Sequence, residues 1–180
     1  QTIGQKIAVA ANQPNYKWEF NLVEDNQANA FCLPGGKVVV YTGILKYAKN
    51  DDQLATVISH EVAHALARHG AERVTQGMIQ QGVGLIGSVA VAATAPQYQN
   101  AFNQAYGLGS NLGVMLPYGR MQESEADEIG IYLMHKAGYN VNEATKFWEN
   151  MSEGKSGGND FFSTHPSSQN RTKDIQTVIN

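Results

Sequence analysis

His60-Glu61-Val62-Ala63-His64 sets two imidazoles four residues apart, with a carboxylate directly after the first. On a helix, residues four apart differ by about 40° in direction and about 6 Å in height, so both rings point the same way and can grip one ion. Glu61 lies about 100° round from His60, near enough to reach a water on that ion without ligating it. This is the division of labour of a hydrolytic zinc site. Two neutral histidines hold Zn²⁺, the ion lowers the pKa of a water, and the carboxylate takes the proton. The apolar neighbours Ile58, Val62, Ala63 and Ala65 suit a buried helix better than a solvated face that happens to carry histidine.

A catalytic zinc wants a third protein ligand and one open position. The best source is GRMQESEADEIG, residues 119–130, where Glu123 and Glu125 compete and point about 200° apart on one helix. The stripe through Glu123 continues with Ala126, Asp127 and Gly130, all small or short; that through Glu125 continues with Glu128, Ile129 and Tyr132. Ala63 and Ala67 line the metal face of the H-E-x-x-H helix, so small residues facing each other favour Glu123 as the ligand. Asp127, one turn on, is placed to accept a hydrogen bond from a ligand imidazole and fix its tautomer. His69 faces roughly the opposite side of an ideal helix from His60 and reads as a surface or helix-end residue, and His135 reads as structural.

The elements that must position these groups are mostly helical. KWEFNLV (17–23) and KVVVY (37–41) have strand composition, and ANAFCLPGG between them ends in the turn signal Pro34-Gly35-Gly36, which predicts a small antiparallel sheet. From Asn50 the pattern turns helical, with Asn50 as N-cap, Asp51 and Asp52 in the first turn, and Gly70 as a stop or bend. Further helices are predicted over about 71–94, 98–112, 119–137 and 142–153, then a flexible loop at 154–160 and a last helix from near Ser167. The apolar run 83–95 is shorter than the roughly 20 residues that span a bilayer and reads as a buried or interfacial segment.

The 180 residues carry 13 Lys and Arg against 16 Asp and Glu, with 42% apolar residues, as expected of one folded domain over 1–180. No basic patch points to nucleic acid or an anionic membrane surface. Cys32, the only cysteine, excludes an intrachain disulfide and a cysteine cluster, and between Phe31 and Leu33 it reads as a small buried hydrophobe. The N-terminal residues lack a basic start followed by a long apolar run, so a targeting signal is either absent or already removed.

HEVAH followed much later by ESEAD resembles the zinc metallopeptidase family of the HtpX heat-shock protease and the CAAX prenyl protease. The nearest likeness is to its soluble bacterial envelope branch, related to the mitochondrial inner-membrane stress protease. NAFCLPGGKVVVYTGIL, LPYGRMQESEADEIG and FSTHPSSQNR extend the resemblance over nearly the whole chain. It implies an α+β, mostly α, zincin-type fold with one Zn²⁺ per chain held by His60, His64 and Glu123, and with Asp127 in support. It also implies that His165 and Arg171 lie near the metal, at a rim where they steady an oxyanion; by spacing alone, His165-Pro166 is also a plain helix start. A sharper expectation is that His165 at times fills the open position and silences the enzyme. The edge of ANAFCLPGG is expected to pair with an extended substrate, with Asn29 and Ala30 nearest the cleft. The implied activity is endopeptidase action on unfolded or misassembled proteins in the bacterial envelope, in a periplasmic setting and without a membrane span. The alternative is a zincin-fold binding or chaperone module that cleaves little; the intact Glu61 weighs against it.

Overall fold

The computed structural model describes residues 1–33, 35–111, 115–154, 161–166 and 170–180. After helix α1 (Thr2–Ala11) come three short strands, β1 (Glu19–Val23), β2 (Ala30–Leu33) and β3 (Lys37–Tyr41). Val38 and Val40 are buried while Val39 is not, the period-2 burial expected of a half-covered strand. β2 and β3 form an antiparallel hairpin whose turn uses positive φ at Gly35 (89°) and Gly36 (95°), a conformation glycine adopts without steric cost. Pro34 of that turn lies outside the described residues. The sheet is not antiparallel throughout. Its order is β1-β3-β2, and β1 lies on the far edge of β3 running parallel to it. The chain reverses between Glu24 and Asn29, so the first strand meets the third in the same direction.

Helix α2 (Asp51–Leu66) begins where Asn50 Oδ1 accepts the Gln53 backbone N–H at 2.8 Å. It is buried almost along its whole length and forms the centre of the molecule. The sheet and α1 pack on one side of it, and α5 (Leu116–Lys136) and α6 (Glu143–Glu153) on the other, with α8 (Arg171–Ile179) against α5 and α6. Ile7, Val38, Val57, Met134, Phe147 and Trp148 lie in the core between these layers. The expected 154–160 loop falls, beyond Gly154, outside the described residues, as do 167–169 at the expected start of the last helix.

Two expectations fail here. Helix α2 does not run on to Gly70: Arg68 takes a left-handed conformation (φ 59°), and a new helix α3 starts at His69 and runs to Thr94. The Tyr16 hydroxyl donates to the Ala65 carbonyl at 2.9 Å, taking up one of the carbonyls this ending frees. Of the two readings of the apolar run 83–95, buried or interfacial, burial fails. It lies in α3, which with α4 (Gln99–Ser110) forms a hairpin beside the body, and Val83, Leu85, Ile86 and Val89 are exposed. By length and composition α3 would suffice to cross a membrane.

The N-termini of α2 and α6 are clamped together by Glu143. Its carboxylate accepts from Lys146 Nζ, from Asn50 Nδ2 (2.9 Å) and from Gln53 Nε2 (2.8 Å). Lys146 first, then Asn50 and Gln53, pull the Glu143 pKa down to about 2 from an ordinary 4.5. A depressed folded-state pKa adds stability that is present above the ordinary value and disappears as pH falls through the folded one. Glu143→Gln is therefore expected to lower the urea midpoint at pH 6, with the gap to the parent chain closing between about pH 4.5 and 2. A gap independent of pH would show that charge plays no part in the clamp.

Candidate metal centre

α2 and α5 approach closely at Gly130, where a Cβ would stand 3.3 Å from the His60 backbone nitrogen. That contact brings Glu123, a little under two turns earlier on α5, over the two α2 histidines. His60 Nε2 and His64 Nε2 are 3.1 Å apart, and the Glu123 carboxylate lies 3.0 Å from the first and 3.2 Å from the second. His165, beyond the short helix α7 (Phe161–Thr164), joins them, so that one donor atom from each of the four residues lies within 4.8 Å of the others. All four are buried.

The far atom of each ring is held. His60 Nδ1 stands 2.9 Å from Asp127 Oδ1, and Asp127 in turn takes two hydrogen bonds from Arg171, Nε to Oδ2 and Nη2 to Oδ1, each 2.7 Å. Nδ1 of His60 thus carries the proton and Nε2 presents a lone pair. His64 Nδ1 lies 2.8 Å from His69 Nδ1, and His69 Nε2 lies 3.2 Å from Glu125 Oε2. One proton arrangement fits this chain: His64 donates to His69, and His69 donates to Glu125. His165 Nδ1 is within 3.3 Å of the Phe161 carbonyl and 2.9 Å of Thr164 Oγ1, which again leaves Nε2 as the free acceptor. Its ring stacks on Phe161 at 4.1 Å.

This donor set fits a small dication. Ligands held tetrahedrally at zinc distances stand about 3.4 Å apart, close to the spacing here. Imidazole nitrogens with a carboxylate are the set zinc takes, and three lone pairs converging in a buried space need a positive charge between them. The electrostatics agree. Burial works against a charged His60, yet the hydrogen bonds to Asp127 and Glu123 raise it to about 9. Burial dominates at His64, only partly opposed by Glu123, and with the neighbouring His60 brings it down to about 4. For Glu123 burial opposes ionisation, but His60 and His64 outweigh it and hold the carboxyl far below its usual range. The site draws positive charge.

Glu61 is buried beside the cluster. Among the described residues its Oε1 makes no hydrogen bond, although His165 Nε2 stands 3.3 Å away. Burial raises its pKa, and the imidazoles beside it, His165 before His60 and His64, more than reverse that, so the group is an ionised acceptor with spare capacity. A cleft of about 340 Å³ opens next to His64 and Ala65, walled by Cys32 and Leu33 of β2, by Tyr16 and by Arg68.

Residues 1–179 match the profile of Peptidase family M48. The chain belongs to peptidase family M48. The mostly helical fold with a small sheet is that of an M48 zincin-type domain. The M48 chain is similar to mitochondrial metalloendopeptidase OMA1 of Schizosaccharomyces pombe, 39% identical over 96% of this chain and 50% of the relative. OMA1 of Arabidopsis thaliana is 39% identical over 92% of this chain and 32% of its own length. The beta-barrel assembly-enhancing protease of Escherichia coli is 29% identical over 99% of this chain and 38% of its own length. The M48 chain therefore spans half or less of these relatives.

Within the M48 chain, several residues stand elsewhere than expected. His69 is buried, not on the surface, because the left-handed Arg68 swings it back under His64. Arg171 is not at a rim. It lies behind His60, committed to Asp127, with its guanidinium 3.4 Å over the Trp148 ring. Asn29 and Ala30 do not line the cleft; Ala30 is fully buried, and its N–H is taken by Asn29 Oδ1 at 2.9 Å. His135 is exposed and away from the cluster, in keeping with its structural reading. Cys32 is half-buried against the core, and burial, with Glu61 adding to it, pushes its thiol up to about 12. Arg73 was not expected at the site at all. Its Nη2 stands 3.0 Å from Glu123 Oε1, opposite the side facing His60. Its one sequence signal is position, one turn beyond His69.

Proposed function

We propose that this chain is a zinc endopeptidase in which His60, His64 and Glu123 hold the ion. The observation that carries the reading is the convergence of those three donors, each imidazole with its other nitrogen fixed, beside the Glu61 carboxylate, whose Oε1 makes no hydrogen bond among the described residues. Zinc bound there would supply Lewis acidity toward a peptide carbonyl and toward water. Glu61 takes the proton of the attacking water and passes it to the leaving amine. Asp127, steadied by Arg171, fixes the His60 tautomer, and Arg171 acts through that contact rather than on an oxyanion.

His165 Nε2 aims at the same point as the three ligands, which favours the latch reading, in which it takes the fourth position at rest. His165→Ala should then raise the initial rate of peptide cleavage, whereas an oxyanion-stabilising role predicts a fall.

His64 is oriented by His69, and through it by Glu125. Loss of an outer-shell partner of this kind typically weakens metal binding about 10- to 100-fold. His69→Leu is expected to show such a loss in chelator competition, and His69→Asn, which keeps an acceptor for His64 Nδ1, to recover part of it. Unchanged affinity in His69→Leu would remove His69 from the site.

An extended substrate pairs with the free edge of β2. Tyr41 N–H donates to the Asn29 carbonyl, and β-ladder groups alternate in direction, so the main chain of Ala30 and Cys32 turns away from β3. With the Ala30 N–H already taken, Cys32, on the wall of the cleft, is the pairing residue. Recognition through main-chain atoms gives weak side-chain selectivity, which suits unfolded or misassembled proteins. The name of the beta-barrel assembly-enhancing relative supports quality control in the bacterial envelope, with a periplasmic setting. Hydrolysis of unfolded casein, lost with a chelator and restored by zinc, tests the reading. Zinc-loaded chain that leaves casein intact would favour the binding module instead.

A further inference from the structure

Helix α3 has two unlike faces. Toward α4 it turns Gln80, Gly84 and Gly87, and α4 packs so closely that a Cβ on Gly84 or Gly87 would stand 2.7 Å from Tyr106 or 2.5 Å from Phe102. The opposite face carries Val74, Met78, Val83, Leu85, Ile86 and Val89, each more than half exposed. On an ideal helix these fall in a sector about 180° wide and, with Ala93, about 28 Å long. Thr75 interrupts it, and Gln81 lies at its margin. No charged residue and no histidine occurs between Arg73 and Arg120. The outward side of α4 is also uncharged but mostly polar, with exposed Asn100, Asn103 and Gln104 and a single large apolar residue, Leu108.

We propose that the outer face of α3 docks the chain onto a lipid bilayer, lying in the interfacial layer with α4 on the water side. A protein partner would need a polar rim and about one hydrogen bond per 100–200 Å²; this face offers Thr75 and Gln81. A bilayer asks for nothing but apolar surface. The hairpin lies in the membrane plane and does not cross. α4, with 12 residues, rises only about 18 Å, short of the roughly 30 Å hydrocarbon core. Because the face has no basic residue, attraction to anionic headgroups plays no part. The N-terminal turns of α3 carry His69 and Arg73, so docking holds the metal cluster near the membrane surface. The surface itself does not depend on the peptidase reading.

Flotation of the full chain with neutral phosphatidylcholine vesicles tests this. The chain should float with them equally well at low and high salt, and added anionic lipid should not be required. Val83→Glu with Ile86→Glu should reduce flotation at least about 10-fold, and Leu85→Ser with Ile86→Ser, which adds no charge, should reduce it less. Gln104→Glu, on the water side, should have no effect. Circular dichroism melting of all variants should match the parent, since these side chains are exposed. Failure of the parent to float, dependence on anionic lipid, or undiminished flotation of Val83→Glu with Ile86→Glu would overturn the proposal. So would light scattering that shows a dimer, broken by those glutamates, in place of vesicle binding.

Discussion

Glu61→Gln is expected to lower kcat for peptide hydrolysis by about 10³-fold or more, toward the upper end of what a positioned general base contributes, while zinc content and KM stay close to the parent. The carboxylate is buried, its Oε1 makes no hydrogen bond among the described residues, and the neighbouring imidazoles, His165 before His60 and His64, keep it ionised despite burial. Glutamine preserves its volume and much of its polarity but cannot accept and return a proton. Single-turnover cleavage of a fluorogenic peptide by zinc-loaded chain, with metal content measured on the same sample, separates lost chemistry from a lost ion. Activity within tenfold of the parent would mean that another group activates the water.

The second large effect lies behind the metal. Asp127 and Arg171 form a bidentate pair whose side chains are 8% and 7% exposed. Removing one partner of a buried pair leaves an uncompensated charge and typically costs about 3–5 kcal/mol, whereas a variant in which both partners are neutral carries no such charge. Asp127→Asn alone is therefore expected to destabilise the chain by about that amount in urea denaturation. Adding Arg171→Met, whose flexible side chain can still cover the Trp148 ring, should restore most of it. Zinc affinity should not recover in the double variant, because His60 has lost the carboxylate that orients it, an effect of about 10- to 100-fold. If the two losses of stability simply add, the pair is not the unit described here.

Much of this was legible in the primary structure, for reasons that can be named. Helical periodicity and the Asn50 cap located α2, and with it the two imidazoles on one face. The preference for Glu123 over Glu125 came from small residues on its stripe, and Gly130 against the His60 backbone is the contact those small residues permit. Asp127 followed from the same stripe. What stayed hidden depended on backbone turns or long-range choices that carry no local signal. Nothing in Ala65–Gly70 announces a left-handed Arg68, yet that one residue moves His69 from the far side of an ideal helix to the back of His64. The direction of β1 was equally silent, since a strand of that composition pairs either way. The apolar run of α3 left burial and an interfacial setting both open, because composition does not say which way a face turns, and here it is turned outward.

Zinc titration of the metal-free chain against a chromophoric chelator bears most directly on the central claim. The geometry predicts one ion per chain, an affinity in Glu123→Ala reduced by more than the 10- to 100-fold typical of an outer-shell partner, and a smaller loss in Glu125→Ala. Absence of stoichiometric binding, or equal losses in the two glutamate variants, would contradict it.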